Sequence, residues 1–185
     1  CVPAGKRERC SHIVIMKIFT IGYEGATVDE LIATLHAAGV RRLIDVRALP
    51  LSRRPGFSKT ALAAALGEAG IDYVHLKALG TPKEGRDAAK KGDRVTLERV
   101  YAELIDLPET QVAAAQMRDL AAEMPSALLC YERDPAHCHR TLLLEAEGER
   151  SVTTLTAPRD VLEFFQRGGA PGGGGVVAAA DAEHG

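Results

Sequence analysis

The eleven residues from Cys130 to Arg140, CYERDPAHCHR, carry two thiols, two imidazoles, two carboxylates and two guanidiniums directly after the apolar run Ala127-Leu128-Leu129. Such groups serve as a metal site, a redox pair, a nucleophile or a helix cap. Cys130 and Glu132 lie two apart on a strand and share a face, while Cys138 and His139 fall at the start of the following helix. A zinc site wants four ligands at workable spacing, but adjacent residues on a helix diverge by about 100° and no CxxC or HxxxH partner is present. No metal and no other cofactor is therefore expected. A phosphatase- or sulfurtransferase-like cradle wants an arginine six positions after its cysteine, where Cys130 meets Ala136 and Cys138 meets Leu144. Two readings stay open. In one, Cys138 beside Arg140 at a helix N-terminus is a thiolate of lowered pKa. In the other, Glu132, His139 and Arg140 orient a ligand while both thiols pack the strand–helix junction. Asp134-Pro135 marks a turn, with His137 on its surface.

A second segment offers charge. From Val46 to Lys59 stand Arg47, Arg53, Arg54 and Lys59 with no acid among them, beside Ser52 and ahead of a helix start near Ser58. Guanidiniums grip phosphate or carboxylate bidentately, and a helix N-terminus adds free N–H groups, so Arg47, Ser52, Arg53, Arg54 and Arg140 are candidate anion ligands. The opposing reading pairs Arg47 with Asp45 or Glu132. The stretch TPKEGRDAAKKGDR is charge-dense without the glycine spacing of a phosphate loop, and reads as a mobile flap. Aromatic residues make up only 4% of the chain, so stacking on nucleic acid would fall to Tyr23, Phe57 and Tyr131.

These residues need elements to position them. KIFTIGY (Lys17–Tyr23) reads as a strand, and Thr27-Val28-Asp29-Glu30 as a capping box that opens a helix ended by Gly39. Strands follow at Arg41–Arg47 and Asp72–Leu76, around an Ala-rich helix capped by Ser58 and ending near Gly70. Helices over Arg94–Ile105 and Pro108–Met124 lead to the strand SALLCYE, a helix from Cys138, the strand SVTTL and a last short helix after Pro158. Helical crossovers between strands imply an α/β single domain: a mainly parallel five-stranded sheet with helices on both faces, Rossmann-like and three-layered. Such sheets bind ligands beyond the carboxyl ends of their strands, where Tyr23-Glu24-Gly25, Asp45, Arg47, His75, Cys130 and Glu132 all fall.

With 185 residues, 46% hydrophobic, 26% charged and a net charge of -2, the chain reads as one soluble globular domain without a global bias toward nucleic acid. Four cysteines, no membrane-length apolar run and no secretory leader point to reduced thiols in the cytoplasm. Residues 1–15 lack periodicity, so they are expected to be a disordered or non-native extension ahead of Met16; the domain is placed at 16–167, and the Gly/Ala-rich 168–185 is a disordered tail. Oligomeric state is not legible.

The successive stretches FTIGYEG, LIDVRALPLSRRPGFSKTALAAAL, GIDYVHLKALGTPKEGRDAAKKGD and LLCYERDPAHCHR resemble, in order, the motifs of the domain of unknown function 488 family. The matching positions are Gly22, Asp45, Arg47, Pro50, Ser52, Phe57, Leu79, Gly80, Cys130, Glu132, Cys138, His139 and Arg140. The chain departs from the pattern at Tyr23-Glu24, where many relatives carry His-Ser, and at Tyr131, where a small residue is common. The resemblance implies no reaction. From the residues, the expectation is an enzyme acting on an anionic, phosphate-bearing substrate, a nucleotide or nucleic acid, with Asp45, Glu132, His139 and Cys138 as candidate catalytic groups. Gly22, Tyr23, Glu24, Phe57, Gly80 and Cys130 would line the site. The alternative is a module that binds the same anion without turnover.

Overall fold

The computed structural model describes residues 18–148 and 152–157. Strands β1 (Ile18–Gly22), β2 (Arg42–Asp45), β3 (Asp72–His75), β4 (Ser126–Cys130) and β5 (Val152–Thr156) form one all-parallel sheet in the order β3-β2-β4-β1-β5. β1, β2 and β4 are buried almost throughout because both of their faces are covered, and β4 reads as a near-continuous apolar run. One face packs on helices α1 (Val28–Ala37) and α2 (Lys59–Glu68), through Ile21, Leu43, Ala127 and Leu129 against Leu31, Leu35, Leu62 and Leu66. The other packs on α4 (Arg94–Ile105), α5 (Pro108–Glu123) and α6 (His139–Ala146), through Ile18, Ile44 and Leu128 against Tyr101, Ala114, Met117, Leu143 and Leu144. The expected fold class is the observed one.

The connections explain where a site belongs. After β1 the chain travels through α1 to β2 and onward to β3; after β4 it travels through α6 toward β5, on the opposite side of β1. Right-handed crossovers that run in opposite directions must use opposite faces, so the helices after neighbouring strands β1 and β4 part there, which makes it the topological switch point of the sheet.

The capping box of α1 forms, with Thr27 N–H donating to Glu30 Oε2 at 2.7 Å and Glu30 N–H to Thr27 Oγ1 at 3.3 Å. Two local expectations are corrected. Ser58 occupies the N-cap position of α2, but its side chain makes no capping bond; the first helical N–H, of Lys59, donates to Pro50 O at 2.9 Å. The charge-dense flap is largely a helix, α3 (Lys83–Lys91), closed by Gly92 in the left-handed conformation and packed on α4. Among the described residues no helix is long and apolar enough to cross a membrane. The extension 1–15, the tail 168–185 and the helix expected after Pro158 lie outside the described residues.

Candidate functional site

At the carboxyl ends of β1, β2 and β4 the candidate residues divide into two polar clusters, one on each face of the sheet. Asp45 shares a face with Leu43, and its neighbours in register on β3 and β4 are His75 and Leu129, so it points toward α1 and α2. Cys130 shares the opposite face with Leu128 and points toward α4 and α6.

In the first cluster Arg47 forks onto Asp45, Nε to Oδ1 at 2.8 Å and Nη2 to Oδ2 at 2.6 Å, both side chains buried. Its Nη1 donates to Tyr23 Oη and to the Phe57 carbonyl, each at 3.0 Å. Tyr73 adds a hydroxyl to Asp45 Oδ2 at 2.6 Å, Tyr23 stacks on Phe57 at 4.3 Å, and His75 Nε2 bonds Arg47 O at 2.8 Å. Burial alone would lower the Arg47 pKa, but the bond to Asp45 outweighs it and holds the guanidinium protonated. Burial, and then the bond to Asp45, push the Tyr73 hydroxyl upward. The expected grip of Arg47 on a ligand anion is thus replaced by a grip on Asp45. Asp45 in turn is fully enclosed as a structural counter-ion. Arg54 Nη2 donates to Ala26 O at 2.9 Å and its backbone N–H donates to Ser52 Oγ at 3.1 Å, while Arg53 is exposed. A shallow depression of about 360 Å³ beside Arg54, lined by Ala26, Thr27, Val28, Pro55 and Gly56, does not reach the second cluster.

The second cluster gathers Cys130, Glu132, Cys138, His139 and Arg140. Cys130 Sγ lies 3.2 Å from Glu132 Oε2 and 3.7 Å from His139 Nδ1, and Cys138 Sγ lies 3.8 Å from the same nitrogen. His139 Nε2 is fixed by Val46 O at 3.0 Å. Arg140 donates from Nε to Cys138 Sγ at 3.2 Å and from Nη2 to Glu132 O at 2.6 Å; its Nη1 is buried without a partner. Tyr101 of α4 roofs the imidazole, ring to ring at 5.5 Å, with its hydroxyl on Leu79 O at 3.1 Å. Glu132 is half-buried, on the solvent side of the otherwise buried group.

The expectation that Cys138 and His139 diverge is overturned. Cys138 does not lie in α6 but caps it in an extended conformation, φ -124 and ψ 143, so its thiol turns back toward the ring of its neighbour. Burial pushes the Cys138 thiol up, yet the Cys130 hydrogen bond and the charges of Arg140 and His139 outweigh it and hold Cys138 well below the usual thiol range. The bond with Cys138, and then burial, push the Cys130 thiol well above that range. Burial would lower His139, but the Cys138 charge and hydrogen bond raise it. Burial, then the Cys138 charge, raise Glu132.

Two glycines allow this packing. A Cβ on Gly22 would lie 1.9 Å from Glu132 O, and one on Gly80 would lie 2.0 Å from Ala48 N. Tyr23 and Glu24 bridge to the second cluster's loop through backbone bonds to Cys130 O and Tyr131 O; Glu24 Oε2 also accepts from Arg133 N–H at 3.2 Å. Arg47 and Arg140, expected to share an anion, belong to different clusters: Arg47 donates to Asp45, Tyr23 and Phe57, and Arg140 to Cys138 and Glu132. Sequence reasoning left out Tyr73 and Tyr101. Tyr73 could have been found from strand alternation, two before His75 and in register with Leu43; Tyr101 from its helical spacing with Leu97 and Leu104.

No curated protein and no solved structure matches the chain. The first motif, with Gly22, Tyr23 and Glu24, precedes the span that a family model does match. That model, the Domain of unknown function DUF488, covers residues 27–146, from the cap of α1 to the end of α6 and including the whole Cys130–Arg140 cluster, so the chain belongs to this family.

Proposed function

We propose that the protein is an enzyme acting on an anionic, phosphate-bearing substrate at the switch point beyond the carboxyl ends of β1 and β4. The observation that carries this reading is Arg140: a fully buried guanidinium beside Cys138 and Glu132 that keeps one nitrogen without a partner. An unsatisfied buried donor costs about 1–3 kcal/mol, and an anionic oxygen delivered by a ligand would relieve that cost. Glu132, half-exposed at the rim, is the carboxylate placed to move a proton, and the exposed Arg53 adds attraction from the neighbouring loop. Asp45 and Arg47 support the loop that carries Val46 O and take no part in the reaction.

The test is calorimetric titration with inorganic phosphate, AMP and ATP, together with a turnover screen over phosphate mono- and diesters. Wild-type protein is expected to bind at least one probe and turn over at least one ester. Glu132→Gln should bind within a few-fold of wild type while turnover falls by about 10²–10⁴. Binding without any turnover would overturn the enzymatic reading in favour of an anion-binding module. Absence of binding to every probe, or full turnover by Glu132→Gln, would overturn it altogether.

A further inference from the structure

We propose that Cys130, Cys138 and His139 bind one divalent transition-metal ion of the zinc class. Their ligand atoms, two Sγ and one Nδ1, all lie within 4.8 Å of one another, and the nitrogen is 3.7 and 3.8 Å from the two sulfurs. A tetrahedral ion with Zn–S of about 2.3 Å and Zn–N of about 2.0 Å sets thiolate–imidazole separations at about 3.5 Å, so both nitrogen–sulfur distances are already close to those of a coordinated set.

The surroundings fit the same assignment. Val46 O requires a proton on His139 Nε2, so Nδ1, which faces both sulfurs, is the nitrogen that would bind the ion once its own proton has left; a backbone carbonyl on the far nitrogen is the usual companion of a metal-bound imidazole. Arg140 Nε–H on Cys138 Sγ supports a thiolate in the same way. Two thiolates and an imidazole select zinc-class ions over magnesium or calcium. The ligands also sit on rigid parts of the fold: Cys130 ends a central strand, and Cys138 and His139 open α6.

Three protein ligands are the pattern of a reactive rather than a closed structural site, since the fourth position stays open for water or a substrate oxygen. Glu132 stands next to this ligand set, its Oε2 3.2 Å from Cys130 Sγ. The proposal deepens the functional reading, because a bound cation would give the substrate anion its counter-charge. The two can fail separately, since metal content is measured without any substrate.

The full chain is expressed in zinc-supplemented medium, purified under reductant without chelator, and its metal measured by mass spectrometry. The stripped protein is then titrated with Co²⁺. About one zinc per chain is expected, with a thiolate-to-cobalt charge-transfer band in the near ultraviolet and tetrahedral d–d bands in the visible. Cys130→Ser and Cys138→Ser should each weaken cobalt binding by at least about tenfold and diminish the charge-transfer band, whereas the double variant Cys1→Ser/Cys10→Ser should keep both. If the serine variants fail to fold, wild-type protein still decides. A stripped chain with a folded circular-dichroism spectrum that takes up no zinc and shows no charge-transfer band overturns the proposal. So does metal retained by folded Cys130→Ser/Cys138→Ser, or lost with Cys1 and Cys10.

Discussion

At the scale of single residues, Asp45 and Arg47 show how burial decides a role that residue type leaves open. Both the ligand-gripping and the counter-ion reading of Arg47 are compatible with the sequence; the structure puts Asp45 fully out of solvent and Arg47 nearly so, with three guanidinium nitrogens committed. Removing one member of a buried pair leaves the other charge uncompensated, at a cost of about 3–5 kcal/mol. Arg47→Ala is therefore expected to lower unfolding free energy by about that amount in urea titrations, and Arg47→Lys to recover only part because the fork is lost. A loss below about 1 kcal/mol, the upper end of the usual worth of an exposed pair, would contradict the counter-ion role. Cys138 carries the complementary lesson. Its place in the sequence fixes its neighbour, but its extended backbone fixes where the thiol points, and no spacing rule for helices could have shown that.

Elements with strong end signals were legible and those without were not. The Thr27–Glu30 box announces α1 because both reciprocal bonds are written in the residue types. Thr27→Ala removes one of them and is expected to destabilise the protein by about 1 kcal/mol, read as a shift of the urea midpoint at unchanged slope. No measurable shift would mean that packing of Leu31 and Leu35 alone holds the helix start. In contrast, α3 hides behind Gly85 and a run of charges that suggest a loop. Its helicity comes from tertiary packing: Gly85 presents no side chain to Thr81 and Val100, and Ala88 is buried. The Lys90-Lys91-Gly92 ending was the one local sign of it. The helix start at Ser58 misled in the opposite direction, since a good capping residue stands at the N-cap position and its side chain makes no capping bond.

At the scale of the whole molecule, alternation of strands and helices was enough to foresee a parallel sheet with polar groups along one edge, but not the strand order. That order depends on which strands find each other after the α3–α5 excursion returns the chain between β1 and β2, and it separates residues that a list of strand ends would merge. The sheet places Asp45 and Tyr73 on one face and the Tyr101-covered thiols on the other. Two conservative substitutions test whether these are one network or two. Tyr73→Phe removes a hydroxyl from a charged acceptor and should cost about 1.5–3 kcal/mol, while Tyr101→Phe removes a bond to a neutral carbonyl and should cost about 0.5–1.5 kcal/mol. Because the hydroxyls share no partner and stand on opposite faces of the sheet, the double variant should show the sum of the two losses within about 0.5 kcal/mol. A coupling above about 1 kcal/mol would instead join the faces through the Val46–Arg47 backbone, which accepts from His139 on one side and His75 on the other, and would make the carboxyl edge a single energetic unit.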